Sequence, residues 1–510
     1  MSTTWDLLRR TARRRPDDLA YIYPAEGLQF TWAEVAERAE RLAGGLAEAG
    51  VAAGDRVATL FADGPLHNEA IFALARLGAV RVGLNYRYSP AEIDTLLAHS
   101  GVGYGLCSDD FAPLVAQSSP GFINCGDAAA DYGELTALID AGQPGGLPTV
   151  EVTEADLSTI CYTTGSTGAP KGALWTHRNV THALAHTAMD AEMRPDDIWL
   201  HCLPGAGVPG LLGIWHVVLG WTNVVLPAFT PADCLDAISQ HSVTATVWVP
   251  TMLGAVLDAQ EAAPADCSSL RKVVYGSAPT TPAMIRRTLA TFADTEIEQW
   301  YGSTEGAGGW FTRLSHADHL RAMAGDEHLL RSCGRPMHHV ELETAGTSGE
   351  ALAPGEQGEI RVRSASVMAG YLDAPEQTAE TLQDGWLHTG DLGYVDSEGY
   401  AYLVDRKQFM IITGGYNVYP VEVENALAEH PAVADVCVFG VPDDRWGEAV
   451  HALVVLRDGG GTTPEELIDF SRETLATFKV PKTVELRSEL LKGPTGKVLK
   501  REHKADYWPT

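Results

Sequence analysis

The stretch YTTGSTGAPKG, residues 162–172, decides how this chain is read. It carries three glycines, four hydroxyl side chains at Thr163, Thr164, Ser166 and Thr167, and Lys171 directly after a proline. Glycine and hydroxyl residues leave backbone N–H groups free to converge on an oxyanion, and the lysine adds mobile positive charge, so the composition suits phosphate. The Walker A spacing G-x-x-x-x-G-K-[ST] is not met. Pro170 stands where its second glycine belongs and Gly172 where its magnesium-binding Ser or Thr belongs. The stretch is a phosphate loop of another kind.

Around it lies a chain of 510 residues, longer than one hydrophobic core comfortably serves, so two or more domains are expected. Apolar residues at 45% and charged residues at 20% are ordinary globular composition. A net charge of −30 repels nucleic acid and anionic lipid, so a phosphate-rich ligand needs a local basic site. The eight cysteines show no C-x-x-C spacing, which argues against a disulfide framework or zinc cluster and makes a reducing cytoplasm the expected setting. The arginines at 9, 10 and 13–15 run into Asp17 and Asp18 rather than an apolar segment, so they read as a solvated helix face and not an export signal. No transmembrane segment is expected, since no run of eighteen apolar residues occurs.

Helical patterns such as 33–49 alternate with apolar runs such as 56–61 and 79–84, which reads as layered α/β structure. Three apolar stretches then run into glycine-rich turns: LSTICYTTGSTG, KVVYGSAPTTP (272–282) and EIEQWYGSTEGAGG (296–309). Strand ends that deliver Gly, Ser and Thr together suit a ligand crevice at the carboxyl edge of a sheet. Strands are expected at 358–363 and 400–404, and the texture changes near 405–408. Beyond that point the pattern predicts a small α+β unit: strand 409–412, helix 421–430, strands 433–440 and 449–456, helix 464–477 and strand 483–487.

The order and spacing of YTTGSTGAPKG, YGSAP (275–279), YGSTE (301–305), WLHTGD (386–391), DRKQFMIITGGYNVYPVEVE (405–424), DDRWGE (443–448) and PTGKVLKR (494–501) resemble the acyl-adenylate-forming superfamily of acyl-CoA synthetases and aryl-CoA ligases over nearly the whole chain. The resemblance implies an α/β fold with a large N-terminal adenylation domain, residues 1–405, and a small mobile C-terminal α+β domain, residues 406–510. It implies a ligase that joins a small-molecule carboxylic acid to ATP with Mg²⁺, giving acyl-AMP and pyrophosphate, and then passes the acyl group to coenzyme A.

The same resemblance distributes roles. Thr163, Thr164, Gly165, Ser166, Thr167, Gly168 and Lys171 would hold the β- and γ-phosphates. Tyr301 would face the adenine, Gly276, Ser277, Ala278 and Pro279 would line its other side, and Gly302 and Ser303 would shape the turn between. Thr304 would sit near the α-phosphate and Glu305 would bind Mg²⁺; one carboxylate suffices for a cation that bridges phosphates. Asp391 and Arg406 would meet the ribose, where a carboxylate accepts from two hydroxyls at once. Lys497 would bridge the substrate carboxylate and an α-phosphate oxygen, offsetting repulsion between two anions. Gly414, Gly415, Tyr416 and Trp446 would face pantetheine after the small domain rotates.

Two stretches depart from the family pattern. Where many relatives read P-L-F-H-x-x-G along the acyl pocket, this chain reads LPGAGVPG (203–210), with Gly207 at the histidine position. Gly207, Val208, Trp300 and Gly308 are the expected pocket residues, and the missing imidazole implies a medium or long acyl chain or an aromatic ring. At the hinge, Gln408 and Phe409 replace charged residues. That replacement keeps open a stand-alone adenylating enzyme that serves a carrier-protein thiol or an amine. The particular acid and the oligomeric state are not legible.

Overall fold

The computed structural model describes residues 3–118, 121–126, 150–163, 170–278, 280–406, 409–413, 416–443, 445–457, 459–493 and 498–508, with the side chains of Thr163, Asp405, Arg406, Tyr416 and Asn417 also outside it. Among these residues the fold is mixed α/β, with a large N-terminal and a smaller C-terminal domain. Four sheets form it.

The nine-stranded sheet runs Arg335–Pro336, Trp310–Leu314, Glu296–Gly302, Lys272–Gly276, Ala245–Trp248, Ile198–His201, Thr222–Val225, Leu19–Tyr23 and Leu28–Thr31. From Glu296–Gly302 to Leu19–Tyr23 its neighbours are parallel. The continuous apolar runs of these strands follow from burial on both faces. The seven-stranded sheet runs Gly370–Tyr371, Lys171–Thr176, Leu157–Thr163, Val80–Gly83, Arg56–Leu60, Tyr104–Cys107 and Phe122–Asn124. Two of the flanking helices start on capping boxes: Thr31 with Glu34 opens Trp32–Glu48, and Thr176 with Asn179 opens His177–Asp190.

The largest core cluster is rich in tryptophan. Trp215 meets Trp199, Trp221 and Trp300 edge-on with centroids 5.1, 5.0 and 6.0 Å away. Such pairs add about 0.5–1.5 kcal/mol each beyond area burial. Below Trp300, the wholly buried Glu298 accepts from its indole at 3.0 Å and is ion-paired with Lys272 and Arg313.

A five-stranded sheet of Glu341–Ala345, Gly358–Arg363, Trp386–Val395 and Leu382–Gln383, with Ala401–Arg406 on Trp386–Val395, carries Asp391. After Arg406 the chain enters the fourth sheet, in which Val433–Asp443 and Gly447–Leu456 form a long antiparallel pair flanked by Ile411–Thr413 and Thr483–Arg487. Here the expected elements are present with shifted ends: the strand starts at Ile411, and the helix Pro464–Arg472 stops short of 477.

Several buried histidines are held neutral. His319 Nε2 lies 2.8 Å from the Tyr275 hydroxyl and its Nδ1 2.7 Å from the Ser315 carbonyl, so Nδ1 donates and Nε2 accepts. Burial lowers its pKa to about 4, and that of His177 likewise to about 4. Below pH 6.5 the unfolded chain therefore takes up protons that the folded chain refuses. Each such group withdraws about 1.4 kcal/mol of stability per pH unit until its folded pKa is reached. The melting temperature should accordingly fall between pH 6.5 and 4, and His319→Gln should make that fall shallower. An unchanged slope in His319→Gln scanning calorimetry would show that His319 titrates normally.

Candidate functional site

The stretch expected to hold phosphate is flanked by paired strands. Leu157–Thr163 and Lys171–Thr176 pair antiparallel, Tyr162 opposite Gly172 and Thr163 opposite Lys171, and residues 164–169 between them lie outside the described residues. The second of these strands takes on Gly370–Tyr371, with Tyr371 opposite Ala173. That pairing brings the Tyr371 ring beneath Lys171, whose Nζ lies 5.4 Å from the ring centroid, within cation–π range.

Glu305 arrives from the other large sheet, just beyond Glu296–Gly302. The Tyr371 hydroxyl donates to Glu305 Oε1 at 2.7 Å, Met368 N donates to the Glu305 carbonyl at 2.8 Å, and the Trp175 indole donates to the Thr304 carbonyl at 2.9 Å. Lys171, Thr304 and Glu305, expected from sequence, are thus joined at one seam. Tyr371 and Trp175 were not singled out by sequence reasoning. The only signal for Tyr371 is a Gly-Tyr pair after an apolar residue, which is too common to act on.

The ribose candidates also converge. Tyr301 donates its hydroxyl to Asp391 Oδ2 at 2.6 Å, and both residues are nearly buried. Burial first, then the Asp391 charge, hold the Tyr301 phenol well above its ordinary pKa, so it stays a donor. Asp391 stands opposite Arg406 in the strand pair. Gly302 ends the strand, and Ser303 precedes the short turn Thr304–Gly306 without a side-chain capping bond.

In YGSAP, Gly276 ends Lys272–Gly276, where a Cβ would run into the carbonyl of Trp300 on the neighbouring strand. Sheet packing alone therefore requires that glycine. Ser277 is exposed and left-handed at φ 68°, Ala278 is half-buried, and Pro279 lies outside the described residues.

Around the expected acid pocket, Gly207 and Val208 are half-buried. A Cβ on Gly207 would meet nothing closer than Cys161 Sγ at 3.7 Å. A small cavity of about 10 Å³ is lined by Ala183, Thr187, Leu211, Leu212, Trp215 and Gly308, among others. Trp300 is wholly buried with its indole tied to Glu298, part of the core beneath the pocket.

In the smaller domain, Trp446 is exposed beneath the Arg445 guanidinium at 4.6 Å, and Gly447 beside it pairs with Thr413. Gly414, Gly415 and Gln408 lie outside the described residues, as does Lys497. An antiparallel bridge joins Lys492 to Val498, and Lys492 and Lys500 are ion-paired with Asp435 and Glu424. Phe409 lies 5.6 Å from Lys500 Nζ.

Residues 8–372 match the AMP-binding enzyme family, and residues 422–497 match the AMP-binding enzyme C-terminal domain. The chain belongs to the AMP-binding enzyme family. Within that family it is of the acyl- and aryl-CoA synthetase type, an AMP-forming acid–thiol ligase. A feruloyl-CoA synthase of Amycolatopsis sp is 39% identical over 495 residues, covering 97% of this chain and 96% of the relative. The amide bond synthetase McbA of Marinactinospora thermotolerans superposes with a TM-score of 0.88 at 31% identity, covering 99% of both chains. The o-succinylbenzoate CoA synthetase of Bacillus subtilis, in complex with the acyl-adenylate OSB-AMP, superposes with a TM-score of 0.86 at 30% identity, covering 99% of this chain and 98% of that one. Among the described residues no helix is long and apolar enough to cross a membrane.

Tyr371→Phe keeps the ring under Lys171 and removes only the donor to Glu305. A hydrogen bond to a charged group contributes about 1.5–3 kcal/mol. The variant should therefore lose about tenfold or more in kcat/KM for MgATP, read by ATP–pyrophosphate exchange. Wild-type exchange would show that Glu305 needs no such anchor.

Proposed function

We propose that this enzyme is an ATP-dependent carboxylate–CoA ligase acting on an aromatic or medium-to-long acyl acid. The observation that carries the reading is the seam where Lys171 and Glu305 both meet Tyr371, together with the hydrogen bond to Asp391 from Tyr301, four residues before Glu305, since these supply a cation, an anchored carboxylate and a ribose-type acceptor.

In this reading Lys171 and the loop 163–168 hold the terminal phosphates, and Thr304 lies against the α-phosphate. Asp391, oriented by the Tyr301 hydroxyl, accepts from the ribose together with Arg406, and the exposed part of the Tyr301 ring faces the adenine across from 276–279. Glu305 keeps its second carboxylate oxygen beyond the Tyr371 bond. Among the described residues no group of three or more His, Cys, Asp or Glu could hold a metal. One anchored carboxylate therefore fits Mg²⁺ that comes largely on the nucleotide. Such an ion would supply charge neutralisation at the phosphates. Lys497 brings the acid's carboxylate to the α-phosphorus as pyrophosphate leaves, and rotation of residues 406–510 then presents 414–416 and Trp446 to the pantetheine arm. The likeness to a feruloyl-CoA synthase and the lack of a side chain at Gly207, where a Cβ would make only an ordinary contact with Cys161, support a bulky acid.

A second reading, transfer to an amine, is favoured by the likeness to an amide bond synthetase. Release of AMP and pyrophosphate across a panel of carboxylic acids, with CoA, with amines and with neither, separates the two. CoA-dependent turnover supports the ligase. Acyl-AMP that reacts no faster with CoA than with water overturns it.

Two variants extend the test. Lys497→Ala should abolish acyl-AMP formation yet leave thioester formation from supplied acyl-AMP largely intact, because the lysine acts only in the first transition state. Equal loss in both half-reactions would refute that division. Gly207→Trp should move preference toward shorter acids, and a wild type that already prefers acetate would refute the bulky-acid assignment.

A further inference from the structure

The loop 203–210 is fastened from beneath by a buried ionic cluster that lies outside the motifs quoted above. Asp63, just past Arg56–Leu60, accepts from Gly205 N through Oδ2 at 3.0 Å. Arg81, inside Val80–Gly83, donates from Nη2 to the Gly205 carbonyl at 2.9 Å. One residue is thus gripped at both its N–H and its C=O, by opposite charges from neighbouring strands of the seven-stranded sheet. His201, at the end of Ile198–His201 in the nine-stranded sheet, adds a contact of 3.1 Å from Nε2 to Asp63 Oδ1. Asp63, His67, Arg81 and His201 are each at most 4% exposed.

The cluster leaves no slack at Gly205. A Cβ there would collide with Asp63 Oδ1 and come within 2.6 Å of His67 Nε2. Burial lowers the Arg81 pKa only to about 10 and that of His67 to about 3, so at neutral pH a guanidinium and a neutral imidazole face the loop. Charge-assisted bonds in a water-free site are strong and directional. The loop's next residues, Gly207 and Val208, are half-buried and adjoin Cys161 on the strand Leu157–Thr163.

We infer that Asp63 and Arg81 are positioning residues for acid selection: by gripping Gly205 from both sides they fix the distance between the Gly207–Val208 wall and the strand Leu157–Thr163, and with it the acids that fit. This rests on the proposed placement of the acid pocket at 203–210. Neither residue touches the acid or the nucleotide. They act through the loop, so they govern the acid and not MgATP.

The test uses the full-length enzyme and ATP–pyrophosphate exchange over a panel of short, long and aromatic acids. Arg81→Met should raise the KM for the preferred acid about tenfold or more and change the rank order of acids, with the KM for MgATP held within about twofold. Arg81→Lys, which keeps a cationic donor, should recover much of the loss. Should Arg81→Met fail to fold with Asp63 left uncompensated, Asp63→Asn/Arg81→Met removes both charges and is read by the same criterion. Parallel changes in the acid and MgATP parameters, or an unaltered rank order, would overturn the inference. If the wild type activates no carboxylic acid at all, the proposed function fails instead, which keeps the two failures apart.

Discussion

The hydrogen bond from the Tyr371 hydroxyl to the Glu305 carboxylate holds the two large sheets together where both deliver candidate site residues. Tyr371 belongs to the edge strand of the seven-stranded sheet and Glu305 to the turn after a strand of the nine-stranded sheet. Backbone and indole donors to the Glu305 and Thr304 carbonyls reinforce it, and Asn179 Nδ2 binds the carbonyls of Ala365 and Val367 nearby. Three hydrogen bonds across one seam, from Tyr371, Met368 and Trp175, specify a single relative placement, because each would leave a buried group unsatisfied in any other. The spacing between Lys171 and Glu305 is therefore a property of the fold.

Buried charge serves a related end elsewhere. Glu298 with Lys272 and Arg313, and Asp63 with Arg81, sit where tightly packed apolar side chains would hold the core together at least as well. What ions add is direction. Glu298 fixes the indole of Trp300, and Asp63 with Arg81 fixes one residue of the loop 203–210.

Much of this was legible in the sequence because strand ends and turns carry local signatures. The helix expected over 33–49 spans Trp32–Glu48, and the three glycine-rich strand ends lie where apolar runs stop. Ends were less legible where no cap marks them. The helix Pro464–Arg472 closes without glycine, and the chain continues through turns. Long-range partners were not legible at all: Tyr371 lies 66 residues beyond Glu305, and Arg81 lies 124 before Gly205. Arg81 did leave a trace, a lone charge in the buried strand VRVG, where a polar residue has to find a partner. Trp300, expected to border the pocket, is instead held in the core by a carboxylate two residues earlier in its own strand.

The YGSAP turn separates what packing explains from what it does not. Gly276 is explained without any nucleotide, since the Trp300 carbonyl occupies the space of its side chain. Ser277 is not explained that way. It is exposed, has no strand partner, and still adopts a left-handed backbone that costs a non-glycine residue about 1–3 kcal/mol. Packing offers no return for that strain. A left-handed residue directly after a buried strand end turns the chain sharply out of the sheet. Within a single motif, packing accounts for the glycine and does not account for the backbone of the serine.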